Sequence, residues 1–106
     1  MTKGKNAIIT GSTSGIGLGI AEAMAGAGMN VMLNGFGDAA EIEATRSGLE
    51  RRHGVTVAYH SADMTKPEEI ADLVATTAAG FGTVDVVVNN AGIQNVAPIE
   101  EFPVEK

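Results

Sequence analysis

Short unbroken apolar runs alternate along this chain with longer segments whose apolar residues recur at helical spacing. Residues 6–10, Asn-Ala-Ile-Ile-Thr, form the first run and stop at Gly11. Hydrophobicity that is continuous rather than alternating predicts a strand covered on both faces. From Gly15 the apolar positions are Ile16, Ile20, Met24 and Ala27, with Ala21, Ala23 and Ala25 between them, which predicts a helix capped by Gly28. Val31-Met32-Leu33 reads as a second strand, broken by Asn34-Gly35. A second helix is predicted from an N-cap at Asp38, through a stripe of Ile42, Thr45 and Leu49, to a stop at Gly54. Residues 55–59, Val-Thr-Val-Ala-Tyr, are rich in β-formers. Thr65-Lys66-Pro67-Glu68-Glu69 has the proline and acids of a helix first turn. Ile70, Leu73, Val74, Ala78 and Phe81 supply that helix's apolar face up to Gly80 and Gly82, and residues 84–88, Val-Asp-Val-Val-Val, complete the series as a fourth strand. No regular element is predicted over residues 93–106.

The resulting order, βαβαβαβ with short connections, predicts an α/β fold: parallel strands joined by right-handed crossovers in a doubly wound sheet. At 106 residues, with 44% hydrophobic and 19% charged, the chain is one small domain with no visible linker or repeat. Seven basic against thirteen acidic residues give a net charge of −6 and no basic run, which argues against a nucleic-acid or anionic-membrane partner. The absence of Cys excludes disulfides, thiolate metal sites and a Cys nucleophile. His53 and His60 lack acidic or His neighbours at metal-ligand spacing, so no metal site is expected. Glu41, Glu43, Glu68 and Glu69 read as solvated helix faces. Residues 1–6 carry no signal-peptide pattern and no apolar run approaches the ~20 residues of a membrane span, so a cytoplasmic location is expected.

Candidate chemistry concentrates at the strand ends. Thr10-Gly11-Ser12-Thr13-Ser14-Gly15-Ile16-Gly17 lies between the first strand and the first helix, where a phosphate-binding turn belongs. Gly11 permits the tight turn, Gly15 lets backbone N–H groups approach a pyrophosphate, and Gly17 lets the helix close on the sheet. Ser12, Thr13 and Ser14 add hydroxyl donors. Each motif also has a plainer reading: the glycine turn as packing, Asp63 as a turn former, Asn89 and Asn90 as partners for loop carbonyls. Asp38 stands about twenty residues beyond the last loop glycine, where an acid would meet ribose hydroxyls, but it reads better as a helix cap.

The Gly-x-x-x-Gly-x-Gly spacing, Asp63-Met64-Thr65 after the third strand and Asn89-Asn90-Ala91-Gly92 after the fourth together resemble the short-chain dehydrogenase/reductase family across essentially the whole chain. The resemblance implies a Rossmann-type fold in the strand order 3-2-1-4. It also implies a dinucleotide site made by Gly11, Ser12, Thr13, Ser14, Gly15, Ile16 and Gly17 at the pyrophosphate, with Ala62 and Asp63 at the adenine. Phe36 would lie beside the adenosine, and Asn90, Ala91 and Gly92 beside the nicotinamide ribose. Relatives that prefer NADP often place Arg or Lys where Ser14 stands, and no basic residue occurs between Lys5 and Arg46, so NAD is the expected cofactor. Residues 34–43, the Ser12-Thr13-Ser14 filling and Ala91-Gly92-Ile93-Gln94 look like the family's bacterial D-3-hydroxybutyrate dehydrogenases, which implies Gln94 as a substrate-carboxylate ligand.

The family's catalytic Ser, Tyr, Lys and helix Asn would all follow the stretch that ends at Lys106. Tyr59, the single Tyr, has no Lys four residues later. No catalytic residue is therefore assigned, and residues 1–106 are expected to be the N-terminal NAD-binding part of one Rossmann domain, with the catalytic part absent and no activity alone. Three consecutive Val residues on an edge strand point the same way. The full-length parent would act on a small hydroxy acid or keto acid and form a homo-oligomer. An NADP-dependent 3-oxoacyl reductase and a non-catalytic dinucleotide-binding or interaction module remain open alternatives.

Overall fold

The computed structural model describes residues 4–90. Strands β1 (Asn6–Ile9), β2 (Asn30–Asn34), β3 (Val57–His60) and β4 (Val86–Val88) alternate with helices α1 (Gly15–Gly26), α2 (Ala39–His53) and α3 (Pro67–Phe81). The strands form one parallel sheet in the order β3-β2-β1-β4, the order expected of a Rossmann-type half.

Alternation along the strands divides the core between the two faces of the sheet. Ile9, Val31, Leu33 and Val57 pack with Ala21 and Ala25 of α1 and Leu49 of α2. Ile8 and Met32 point the other way, onto Ala62 and Leu73 of α3, with Phe81 and Val84 at the margin. Because both faces are covered, β1 and the inner part of β2 read as unbroken apolar runs rather than alternating ones. Each fully buried Leu or Ile, such as Leu49, Leu73 and Ile8, contributes roughly 1.5–3 kcal/mol by leaving water.

The helix ends follow their local chemistry. Asp38 caps α2, its carboxylate accepting the Glu41 N–H at 3.0 Å. Gly54 closes the same helix in the left-handed conformation. On α1 the cap is Ala27, one residue before the expected Gly28. Gly28 follows at φ 92° and donates to the Ala25 carbonyl, while Met29 N–H reaches the Met24 carbonyl, the paired bonds of a Schellman close. The cap of α3 is Lys66, with Pro67 opening the helix.

Two strands begin two residues later than their composition predicts. At β4, the Asn6 N–H that a ladder would give to a main-chain carbonyl goes instead to the Asp85 carboxylate at 2.9 Å. Before β3, the Thr56 N–H is taken by the Asn30 side chain at 3.0 Å. Conversely β2 gains a residue at each end, Asn30 and Asn34, whose main chains stay in register with Asn6 of β1 and His60 of β3. β4 stands at the sheet edge, with Val87 exposed.

Candidate functional site

The carboxyl ends of β1, β2 and β3 and the segment after β4 open onto a cleft of about 600 Å³ lined by Gly11, Thr13, Ser14, Ile16, Asn34, Gly35, Phe36, Ala62, Asp63, Met64, Thr65 and Asn90. It sits where strand order reverses, between β1 with its neighbour β2 and β4, the position at which open α/β sheets bind ligands. Two large exposed apolar side chains, Ile16 at 73% and Phe36 at 68%, border it. Apolar groups placed so are suited to a planar ligand.

The β1–α1 turn is built from inside. Ser12 is fully buried; its hydroxyl donates to the Ile9 carbonyl at 2.7 Å and accepts the Asn34 N–H at 3.0 Å. Sequence reading gave that hydroxyl to a phosphate, whereas here it holds the turn to β2. Thr13 donates to the Phe36 carbonyl at 3.2 Å and lines the cleft with Ser14. Ser14 is the N-cap of α1 and makes no side-chain cap bond, and no acid stands in the first turn. Helix α2 has Asp38 and Glu41 at the equivalent place, and α3 has Glu68 and Glu69. The α1 terminus therefore keeps its main-chain donors and its positive end for an anion.

Gly17 faces the back of the turn. A Cβ there would strike the Gly11 carbonyl oxygen and come within 2.6 Å of the Asn90 side-chain nitrogen. Asn90 itself donates to that Gly11 carbonyl at 3.1 Å, tying the segment after β4 to the glycine turn. Asn89 accepts from the Thr10 hydroxyl at 3.3 Å. The loop-carbonyl reading of the two asparagines and a place at the cleft hold together for Asn90.

Sequence reading treated Asn34 as a strand breaker; it is the hub of the cleft floor. Only 1% exposed, it accepts the Gly11 N–H at 3.2 Å and donates to the carbonyls of His60 at 3.1 Å and Ala62 at 3.0 Å. One amide thus fixes the ends of three strands. The available signal was an Asn ending a buried strand among residues that can pair with it, since such a buried amide requires partners on both its oxygen and its nitrogen.

Asp63 is both turn former and cleft wall. One carboxylate oxygen accepts the Thr65 hydroxyl at 2.7 Å and the Thr65 N–H at 2.9 Å. These bonds, the hydroxyl's foremost, hold the acid below the ordinary Asp range. Glu69, read as a solvated face, accepts the Asp63 N–H at 2.7 Å. Tyr59 donates to the Gly35 carbonyl, and burial pushes its phenol up. It supports the turn under Phe36. Each histidine meets a carboxylate that is remote in sequence, Glu22 for His53 and Asp72 for His60, contacts that local spacing could not reveal. The turn's closeness and the uncapped α1 terminus fit a pyrophosphate. Of the remaining expected site residues, Gly15 opens α1, and Ala62 is a buried part of the wall. Ala91, Gly92 and Gln94 lie outside the described residues.

A parallel 3-2-1-4 sheet with a glycine turn, an acid after the third strand and Asn90 on the turn defines a class, and the sequence profile of the short chain dehydrogenases matches residues 5–106. The chain belongs to that family. It is 53% identical over its full length to a D-beta-hydroxybutyrate dehydrogenase of Cupriavidus necator, and 55% identical over 96% of its length to one of Rhizobium meliloti. It spans 40% of the length of each. Among solved structures, the L-sorbose reductase of Gluconobacter frateurii complexed with NADPH and L-sorbose is 38% identical, with a TM-score of 0.78 over 85% of this chain and 34% of that one. No helix among the described residues is long and apolar enough to cross a membrane.

Proposed function

We propose that residues 1–106 form the N-terminal, NAD-binding part of a single Rossmann domain in a dehydrogenase that interconverts D-3-hydroxybutyrate and acetoacetate. The cofactor reading rests on the cleft lining: among the described residues it holds Asp63 and no lysine or arginine, so a ribose 2′-phosphate finds no cation among them. In this reading the main chain of residues 11–17, with the Ser14 hydroxyl, takes the pyrophosphate; Thr13 borders it with its hydroxyl proton on the Phe36 carbonyl, and Ser12 holds the turn in shape from beneath. Phe36 covers the adenosine, and Ala62 and Asp63 meet the adenine. Asn90, Ala91 and Gly92 border the nicotinamide ribose, and Gln94 binds the substrate carboxylate. A dinucleotide held by these residues would supply the hydride acceptor for the carbinol carbon. Proton handling falls to residues beyond this chain, in a cytoplasmic homo-oligomer.

The identity to two D-beta-hydroxybutyrate dehydrogenases supports the substrate class. Steady-state assays of the full-length protein test both parts. With D-3-hydroxybutyrate, kcat/KM is expected to be at least about tenfold higher with NAD than with NADP, the scale of one charge-assisted contact. An NADP preference overturns the cofactor reading, and failure to oxidise D-3-hydroxybutyrate with either cofactor overturns the substrate. The NADPH in the sorbose reductase structure favours a second reading, an NADP-dependent 3-oxoacyl reductase, and turnover of a 3-oxoacyl substrate with NADPH would establish it.

A further inference from the structure

We propose that His60 is a positioning residue for the dinucleotide cleft, acting through the Ala62 N–H that its ring holds. The inference rests on the cleft being a dinucleotide site, as argued above. His60 ends β3, two residues before the buried Ala62. Its Nδ1 lies 3.0 Å from the Ala62 nitrogen and its Nε2 lies 2.6 Å from the Asp72 carboxylate on α3. The Ala62 N–H can only donate, so Nδ1 accepts, and the ring's proton sits on Nε2, where it donates to Asp72. Asp72 thereby selects the one neutral tautomer that leaves Nδ1 open. The Asn34 amide holds the His60 and Ala62 carbonyls from the other side, so the peptide leading into Asp63 is fixed at both edges.

A second proton on the ring would occupy Nδ1 and release the Ala62 N–H. Among the described charged groups on elements packed against β3, Asp72 alone bonds the ring. Glu69 of α3 is engaged by the Asp63 N–H, and Asp63 by Thr65. Lys66, at the α3 cap, is exposed. On α2, Arg46 pairs with Glu43 and Glu50, and Arg46 and Glu50 bond Val57 at the far end of β3; the neighbouring Tyr59 hydroxyl is bound to Gly35. Nε2 carries its proton toward Asp72 whether or not Nδ1 is protonated, so the change falls at Nδ1.

The experiment measures NAD affinity of the full-length protein by titration calorimetry between pH 8 and pH 5.5, a range in which imidazoles titrate. It compares the wild type with His60→Asn, whose amide oxygen replaces the Nδ1 acceptor without titrating. The wild-type Kd is expected to rise about fivefold on acidification, the scale of one lost hydrogen bond. His60→Asn should keep one Kd from pH 8 to pH 5.5. Independently of any variant, the Ala62 amide of the wild type should show an NMR shift and faster hydrogen exchange over the same interval. Matching pH profiles in the two proteins, a wild-type Kd that does not change, or an Ala62 amide indifferent to pH overturns the proposal. Absence of NAD and NADP binding at every pH overturns the dinucleotide reading instead, while an Ala62 response in that case would leave the His60 contact standing and remove its ligand role.

Discussion

At the scale of single residues, the glycine turn and its two polar neighbours show what sequence can and cannot disclose. Gly11, Gly15 and Gly17 were legible because each solves a local steric problem that leaves a spacing in the chain. The roles of Ser12 and Asn34 were not, because both depend on which strands lie side by side: the Ser12 hydroxyl and the Asn34 N–H are twenty-two positions apart. Gly17 gives a sharp test. Its missing Cβ leaves room for a backbone carbonyl, which cannot swing aside as a flexible side chain would. Gly17→Ala should therefore cost about 1–3 kcal/mol of stability, as overpacking does, and should weaken NAD binding at least about tenfold by moving the turn. Urea denaturation and calorimetry check the two effects, and unchanged affinity in a folded variant would mean that the turn does not shape the ligand site.

At the scale of elements, periodicity placed all seven segments correctly and erred chiefly at their ends. Residues 84–88 read as a strand because four of the five are Val, yet pairing begins only at Val86, since the Asp85 side chain has taken the bond a main-chain carbonyl would make. A side chain that imitates the backbone is invisible to hydropathy. Asp38 was read correctly as a cap because its function is local: it accepts from Glu41, three residues on. That assignment separates two roles sequence alone left in competition, a helix cap and a ribose ligand. Asp38→Ala should lower stability by about 1 kcal/mol, the usual worth of an N-cap, and Asp38→Asn should restore most of it. Neither should alter the ratio of NAD to NADP affinity, because Asp38 does not line the cleft. A changed ratio in Asp38→Asn would place the side chain at the ribose after all.

Across the molecule, carboxylates fasten several of the seams between described elements. Asp85 joins the start of β4 to β1 through the Asn6 N–H and also accepts from Thr83. Glu50 joins α2 to β3 through the Val57 N–H. Glu22 joins α1 to α2 through His53 and Arg52, and Asp63 shapes the turn entering α3. These donors hold all four acids below their ordinary values. A carboxyl lowered in the folded state adds stability that is complete above its unfolded value and is lost as pH falls through the folded one. The loss should thus begin near the ordinary Glu and Asp values of 4.5 and 3.8 and deepen below them. Thermal unfolding followed by circular dichroism should give a Tm that is level from pH 7 to about pH 5 with respect to these groups and falls steeply below about pH 4. Asp85→Asn should lower the plateau and flatten the acid decline, since the amide keeps an acceptor oxygen for Asn6 but no longer titrates. A wild-type Tm that stayed level to pH 3 would show that these seams are held by apolar packing alone, and the carboxylates would then be ornaments of the surface rather than its fastenings.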